Sequence, residues 1–281
     1  MKLMSGLMPV FAVIVGVFLV LGAGSAGGAA KAPSGQGDDR VPTQVYGGVP
    51  LSTREDSAYV FIDNESFDIG YSEYRQNPVW VGYYVGPSLV PGRFKRPRTF
   101  QTDRRTVSKV GHRDYTRSGY DRGHMAPNHA IATRYGAGGQ AETFRMSNIV
   151  PQKPDLNRQV WRRIEEMEAD RWAVDLDGVW VITGPVFDED RQFLKKAAPR
   201  IDIPDAFYKV IVDEVVADES GAPVPRMLAF MVPQDVDGGE SVEEFLVSVD
   251  WIESKTGLDL MPGLPDEVEA VLESAVPDAL W

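Results

Sequence analysis

"SGYDRGHMAP" (Ser118–Pro127) sets an acid, a guanidinium, a glycine and an imidazole side by side. His124 is one of three histidines in the chain, with His112 and His129. It could be a packed core residue, a metal ligand or a base. Gly123 allows backbone angles that other residues resist, so the imidazole is expected to leave a strand or turn with an unusual aim. Asp121 and Arg122 can pair with each other or fix their neighbours. An imidazole titrates near pH ~6.5 and can take a proton from water at neutral pH. Zinc would want two or three His, Asp or Glu ligands at fixed geometry. His124 and His129 lie five apart across Pro127 and do not make the helical i, i+4 pair, which argues against zinc chemistry. A histidine standing alone in a loop is most often structural, so the motif by itself decides nothing.

A second element follows, "FRMSNIVPQKPDLNRQVWRRIEE" (Phe144–Glu166). Asp155 can cap a helix here, and Val160, Trp161, Ile164, Met167 and Glu168 recur near helical period. Asn157 opens this helix and Glu165 lies eight residues later, about 80° around the axis at 3.6 residues per turn, so both can border one groove. A carboxamide oxygen and a carboxylate are hard donors suited to Mg2+ or Mn2+, which keep most of their waters. The plain alternatives are a helix-terminal Asn157 bonded to its own backbone and an exposed Glu165 paired with Arg162.

The rest of the chain reads as a mixed α/β, or α+β, domain. "SAYVFIDNESFDIGYS" (Ser57–Ser72) and "NPVWVGYYV" (Asn77–Val85) read as two strands joined by a turn. "GVWVITGPVF" (Gly178–Phe187), "AFYKVIVDEVV" (Ala206–Val216) and "RMLAFMVP" (Arg226–Pro233) read as three more, the first with the continuous apolar run of a central strand. "SVEEFLVSVDWIESKTGL" (Ser241–Leu258) reads as a second amphipathic helix.

Met1–Ala30 carries one charge, Lys2, then a long apolar run, then "SAGGAA". It is either a signal peptide, with a cleavage point after Ala26, or an N-terminal membrane anchor. Both readings export the remainder, to the periplasm or the medium if cleaved and facing outward if anchored. Residues 31–44 are rich in Gly, Pro, Ser and Asp and read as a flexible linker, with the folded domain spanning 45–281.

The formal charge is −12 and cysteine is absent, which excludes disulfides, thiolate zinc sites and cysteine nucleophiles. The charge is uneven. Arg93 to Arg122 holds ten Lys and Arg against three Asp, whereas Asp213 to the C-terminus holds seventeen Asp and Glu against Arg226 and Lys255. A local basic run of this kind is either a solvated surface or a place where a polyanion docks.

"DRGHMAP", "MSNIVPQKPDLNRQVWRRIE" and "VWVITGPVF" together resemble the DNA/RNA non-specific endonucleases, from about Gln44 to about Pro265, with "RQNPVWVGYYV" and "SVDWIESKTGLDLMPGLP" also in pattern. The resemblance implies a central, mostly antiparallel sheet with flanking helices and a ββα-metal active site. It matches His124 with a general base, Asn157 with the direct protein ligand of Mg2+ (Mn2+ also suits), and Glu165 with a carboxylate that orients the metal's waters. It matches Arg98 with an arginine that stabilises charge on the phosphate. Arg122 would contact substrate or shape the site, and Asp121 would position the loop. Arg93, Lys95, Arg96, Arg104 and Arg105 would hold the nucleic-acid backbone. The family's further arginine one turn past the glutamate is here Ala169, and Arg171 is not put in its place. The expected partners are DNA and RNA, cleaved with weak sequence preference and with salt-sensitive affinity. The family includes dimers, which leaves a homodimer open, and membrane is a partner only if the N-terminal segment is retained. Two rival readings are a catalytically weak, exported nucleic-acid-binding module of the same fold and a membrane-anchored structural protein with an acidic tail.

Overall fold

A computed structural model describes residues 44–195, 197, 199–216 and 223–281. The proposed leader and almost all of the linker lie outside the described residues. Among these residues no helix is long and apolar enough to cross a membrane.

In chain order the elements are β1 (Leu51–Ser52), β2 (Val60–Ile62), β3 (Asp68–Ser72), β4 (Asn77–Val85), β5 (Asp121–His124), α1 (Asn128–Thr143), β6 (Ile149–Gln152), α2 (Trp161–Met167), α3 (Ala173–Asp175) and β7 (Val179–Val186). Then come β8 (Gln192–Phe193), β9 (Asp202–Ile203), β10 (Ala206–Val216), β11 (Pro223–Pro233), α4 (Val249–Thr256), β12 (Leu258–Asp259) and α5 (Asp266–Ser274). Six strands form one antiparallel sheet in the order β11-β10-β7-β4-β3-β2. The expected α+β architecture with a central antiparallel sheet is therefore present.

The sheet is covered on both faces, and the strand alternation shows how. In β7, Val179 and Val181 point into a core shared with Ile131 of α1 and with Trp161, Ile164 and Trp172 of the helical stretch after β6. Their neighbours Trp180 and Ile182 point to the other face, against Val249 and Ile252 of α4 and Leu258, Leu260 and Met261. A strand wetted on neither side needs no polar alternation, which explains the continuous apolar run.

Two expectations about elements change. Ser57–Ser72 is two strands, not one, because the polar turn at Asp63–Ser66 is pinned from outside: Glu142 accepts from the Glu65 and Ser66 amides at 3.4 and 3.2 Å. Ser241–Leu258 breaks into a 3-10 turn (Val242–Phe245) and α4, since the Ser248 hydroxyl accepts from the Trp251 amide at 3.2 Å and restarts the helix. The sequence also hid α1, "NHAIATRYGAGGQAET". It buries small residues and glycines without an apolar stripe, and it kinks at Gly136, whose φ of 72° suits glycine.

Candidate active site

The "DRGH" stretch is strand β5, paired with β6 in the register Asp121↔Gln152, Arg122↔Pro151, Gly123↔Val150 and His124↔Ile149. Gly123 serves closeness and not an unusual backbone angle: it is absent from the positive-φ residues, and a Cβ there would lie 1.9 Å from the Gln152 Oε1. The hairpin continues into α1 through a clamp. Buried Asn148 accepts from the Ala126 amide at 2.8 Å and donates to the carbonyls of Ala126 at 3.0 Å and Thr143 at 3.1 Å, which fixes the backbone just beyond His124.

The His124 ring sits between Phe100 and Phe144, with centroids 5.3 and 5.2 Å away. Its Nε2 is buried without a hydrogen-bond partner. Burial, with a smaller push from the Arg96 guanidinium, lowers its pKa to about 3, so the ring is neutral at pH 7.

Opposite stands a helical stretch in which α2 lies between two π turns, Leu156–Val160 and Glu168–Trp172. Such turns insert a residue into the helical ladder and re-aim its side chains, a device frequent at functional sites. Asn157 lies in the first. Its Nδ2 donates to Asp121 Oδ2 at 3.0 Å, and Arg158 closes on the same carboxylate through Nε and Nη2, both at 2.7 Å. Burial works against the Asp121 charge, but these bonds from Arg158 and Asn157 hold its carboxyl below the usual range. With Nδ2 committed to Asp121, the acceptor oxygen of Asn157 is on the far side of the amide.

Glu165, one turn along α2, is half-buried, and burial with the neighbouring Glu168 raises its pKa to about 8 against the pull of Lys209. Behind it Lys209 of β10 donates to Glu168 at 2.6 Å and to the Tyr83 hydroxyl at 2.7 Å, while Tyr83 donates to Glu168 at 3.1 Å. Lys209 and Glu168 are fully buried. The helix face read as apolar thus carries one charge, Glu168, with its counter-ion supplied by the sheet.

These side chains line one cleft of about 550 Å³, shared by Arg96, Arg122, His124, Asn157, Arg158 and Glu165. Asp121 stands just behind it through its bond to Asn157. Arg122 reaches the cleft wall while donating to the His112 carbonyl at 3.1 Å from Nε and 2.5 Å from Nη2. Arg98 is exposed and does not line the cleft, and Arg96 occupies that wall instead. Arg93, Lys95 and Arg104 are exposed. Arg105 is committed to structure: it donates to Asp103 at 2.7 Å, to Asn64 at 2.9 Å and to the Asp63 carbonyl at 2.6 Å, bracing the β2–β3 turn. Arg171 bonds the Trp281 carbonyl at 2.6 Å and points away from the cleft. Sequence reasoning missed Asn148, Arg158 and the pair His129–Asp170, 2.9 Å apart at the cleft's edge. Arg158 adjoins Asn157 and was open to the same helix argument. The other two pair residues distant in sequence and left no local signal.

The DNA/RNA non-specific endonuclease family model matches residues 51–267. The chain is 34% identical to a nuclease of Serratia marcescens over 204 residues, covering 69% of this chain and 72% of that protein. It is 31% identical to human mitochondrial nuclease EXOG over 247 residues, covering 83% of this chain and 64% of that protein, and 27% identical to human mitochondrial endonuclease G over 211 residues, covering 71% and 69%. The fold matches a chain in the crystal structure of an EndoG/EndoGI complex with a TM-score of 0.62 at 24% identity, over 73% of this chain and 86% of that one. The chain belongs to the DNA/RNA non-specific endonuclease family and is a nuclease, a phosphodiester hydrolase.

Proposed function

We propose that this nuclease is metal-dependent and cuts DNA and RNA internally with little sequence preference, with His124 as the base and Asn157 as the protein's direct ligand to Mg2+. The observation that carries the reading is the Asp121–Asn157 bond across the cleft from a neutral His124. It presents a carboxamide oxygen beside the Glu165 carboxyl, two hard donors that fit a cation keeping most of its waters. When bound, Mg2+ would supply positive charge to a phosphate oxygen and the leaving oxygen.

The chain's own residues account for the rest. His124 accepts the proton of the attacking water. Because Nε2 is buried and unpartnered, Nδ1 is the nitrogen offered to that water. The aromatic slot holds the ring in the base form and off the metal. Arg96 and Arg122 bring fixed positive charge to the cleft wall, where guanidinium pairs well with phosphate. Arg93, Lys95, Arg98 and Arg104, exposed on the loop before the site, hold the backbone of either nucleic acid, since phosphate contacts carry no sequence information. The N-terminal composition supports export, which sequencing of the mature N-terminus checks.

Digestion of plasmid DNA and RNA by the full chain tests the reading, with Mg2+, with EDTA and with His124→Ala. Cleavage of both substrates should require Mg2+ and should fall about 10²–10⁴-fold in the variant, the usual cost of losing a general base. Full activity in EDTA would sink the metal requirement, and undiminished cleavage by His124→Ala would sink the base.

A further inference from the structure

On the sheet face opposite the cleft, α4 and α5 pack together and carry a group of acids that the nuclease reaction does not use. Asp250 and Glu253 are one helical turn apart on α4, and Glu273 comes from the last turn of α5. Each offers a carboxylate oxygen within 4.8 Å of the other two. Asp250 is exposed, Glu253 half-buried and Glu273 only 3% exposed.

An acidic cluster alone means little on a chain this acidic. What sets this one apart is Glu273, whose Oε1 is buried with no hydrogen-bond partner and which, unlike Glu168 with its equally unpartnered Oε1, has no Lys or Arg bonded to the carboxylate among the described residues. A second such oxygen, Asp259 Oδ1, lies on β12 just beyond α4. The Glu253 carboxylate is partly used, accepting the Leu260 amide at 2.7 Å. Lys255, on the same helix as Asp250 and Glu253, lies over the Trp251 ring, 4.5 Å from its centroid. Among the described residues no Lys or Arg forms a salt bridge to the three. Burial and then the neighbouring acids push Glu273 up to about 8, while burial and the nearby Asp259 and Asp250 bring Glu253 to about 7. A buried carboxylate oxygen without a donor is costly, and converging carboxylates add repulsion. A hard divalent cation relieves both at once, and Ca2+ accepts carboxylate ligands in irregular, flexible geometry.

We propose that Asp250, Glu253 and Glu273 bind a divalent cation of the Ca2+ class, which ties α4 to α5 and is separate from the catalytic metal. The site stands on two helices packed against each other, so its occupancy stabilises the C-terminal layer and leaves the cleft chemistry unchanged. Glu253 and Glu273 supply the shielded ligands and Asp250 the solvent-side one.

The test uses the full chain carrying Asn157→Ala, so that the proposed catalytic metal site does not contribute. Ca2+ at about ten times its Kd should raise the Tm of this protein by about 3 °C or more, and calorimetry should show one binding event. Adding Glu273→Gln or Asp250→Asn should abolish the rise. Glu273→Gln in the otherwise natural chain should keep Mg2+-dependent cleavage within about twofold, and in EDTA its Tm should equal or exceed that of the unmodified chain. The proposal is overturned by the absence of a Ca2+-dependent rise in the Asn157→Ala protein. It is equally overturned by a rise that survives Glu273→Gln, or by a lower metal-free Tm in Glu273→Gln, which would show that the carboxyl has a partner in the fold. Because none of these readouts needs cleavage, failure here leaves the catalytic reading untouched.

Discussion

Two carboxylate groups on opposite faces of the sheet solve the same problem differently. In the cleft-bearing layer, half-buried Glu165 and fully buried Glu168 share the field of Lys209, which arrives from β10 and bonds Glu168 at 2.6 Å. In the C-terminal layer, Asp250, Glu253 and Glu273 converge with no basic side chain paired to them among the described residues. The first group carries its own counter-charge, so Glu165 can face the cleft as a single carboxyl whose protonation is set locally. The second lacks one and is completed from solution. An acidic cluster is therefore read by its partners more than by its count.

The comparison breaks most sharply if the internal cation is removed. Lys209→Met should leave Glu168 buried without its counter-ion and cost about 3–5 kcal/mol in urea unfolding at neutral pH. A loss below about 1 kcal/mol would mean that Lys209 is not the counter-charge that separates the two groups. A smaller effect concerns the cleft's other acid. Asp121→Asn would remove the carboxylate that both Asn157 and Arg158 address. Mg2+ affinity should fall about 10–100-fold, as for other residues that orient a ligand, with cleavage restored at high Mg2+. Unchanged Mg2+ affinity would count against Asp121 as the group that aims Asn157.

The smallest expected effect sharpens the comparison through pH. Glu165 has a folded pKa of about 8, above its ordinary 4.5. The protonated folded form is therefore favoured, and that stability is fully present below pH 4.5 and lost as pH rises through about 8. His124, lowered from 6.5 to about 3, works with the opposite sign, its contribution being lost as pH falls below 6.5. In EDTA, Glu165→Gln should lessen the decline in Tm between pH 5 and pH 9, to which Glu253 and Glu273 also contribute, while abolishing most cleavage. An unaltered decline would show that Glu165 is not among the titrating groups.

The sequence was informative where local chemistry and local geometry coincide. The continuous apolar run of β7, the period of Val160–Met167 and the spacing of Asn157 and Glu165 follow from neighbours along the chain. The resemblance supplied the roles of His124 and Asn157. What stayed hidden depends on residues far apart: the Asn148 clamp on Ala126, the Lys209 counter-ion 41 residues beyond Glu168, and the π turns that set the helix phase. Arg96 and Arg98 are two residues apart on a loop rich in charge. No local pattern says which one lines the cleft; both are exposed, and it is Arg96 that lies along the wall, over the Phe144 ring at 5.4 Å.

The central claim is that His124 is a base that does not hold the metal, while Asn157 does. Calorimetric titration of Mg2+ into His124→Ala, beside cleavage of the same preparation, tests it most directly. The account predicts Mg2+ affinity within about twofold of the unmodified chain together with a cleavage rate lowered about 10²–10⁴-fold. Loss of Mg2+ binding in His124→Ala, or cleavage at the unmodified rate, would contradict it.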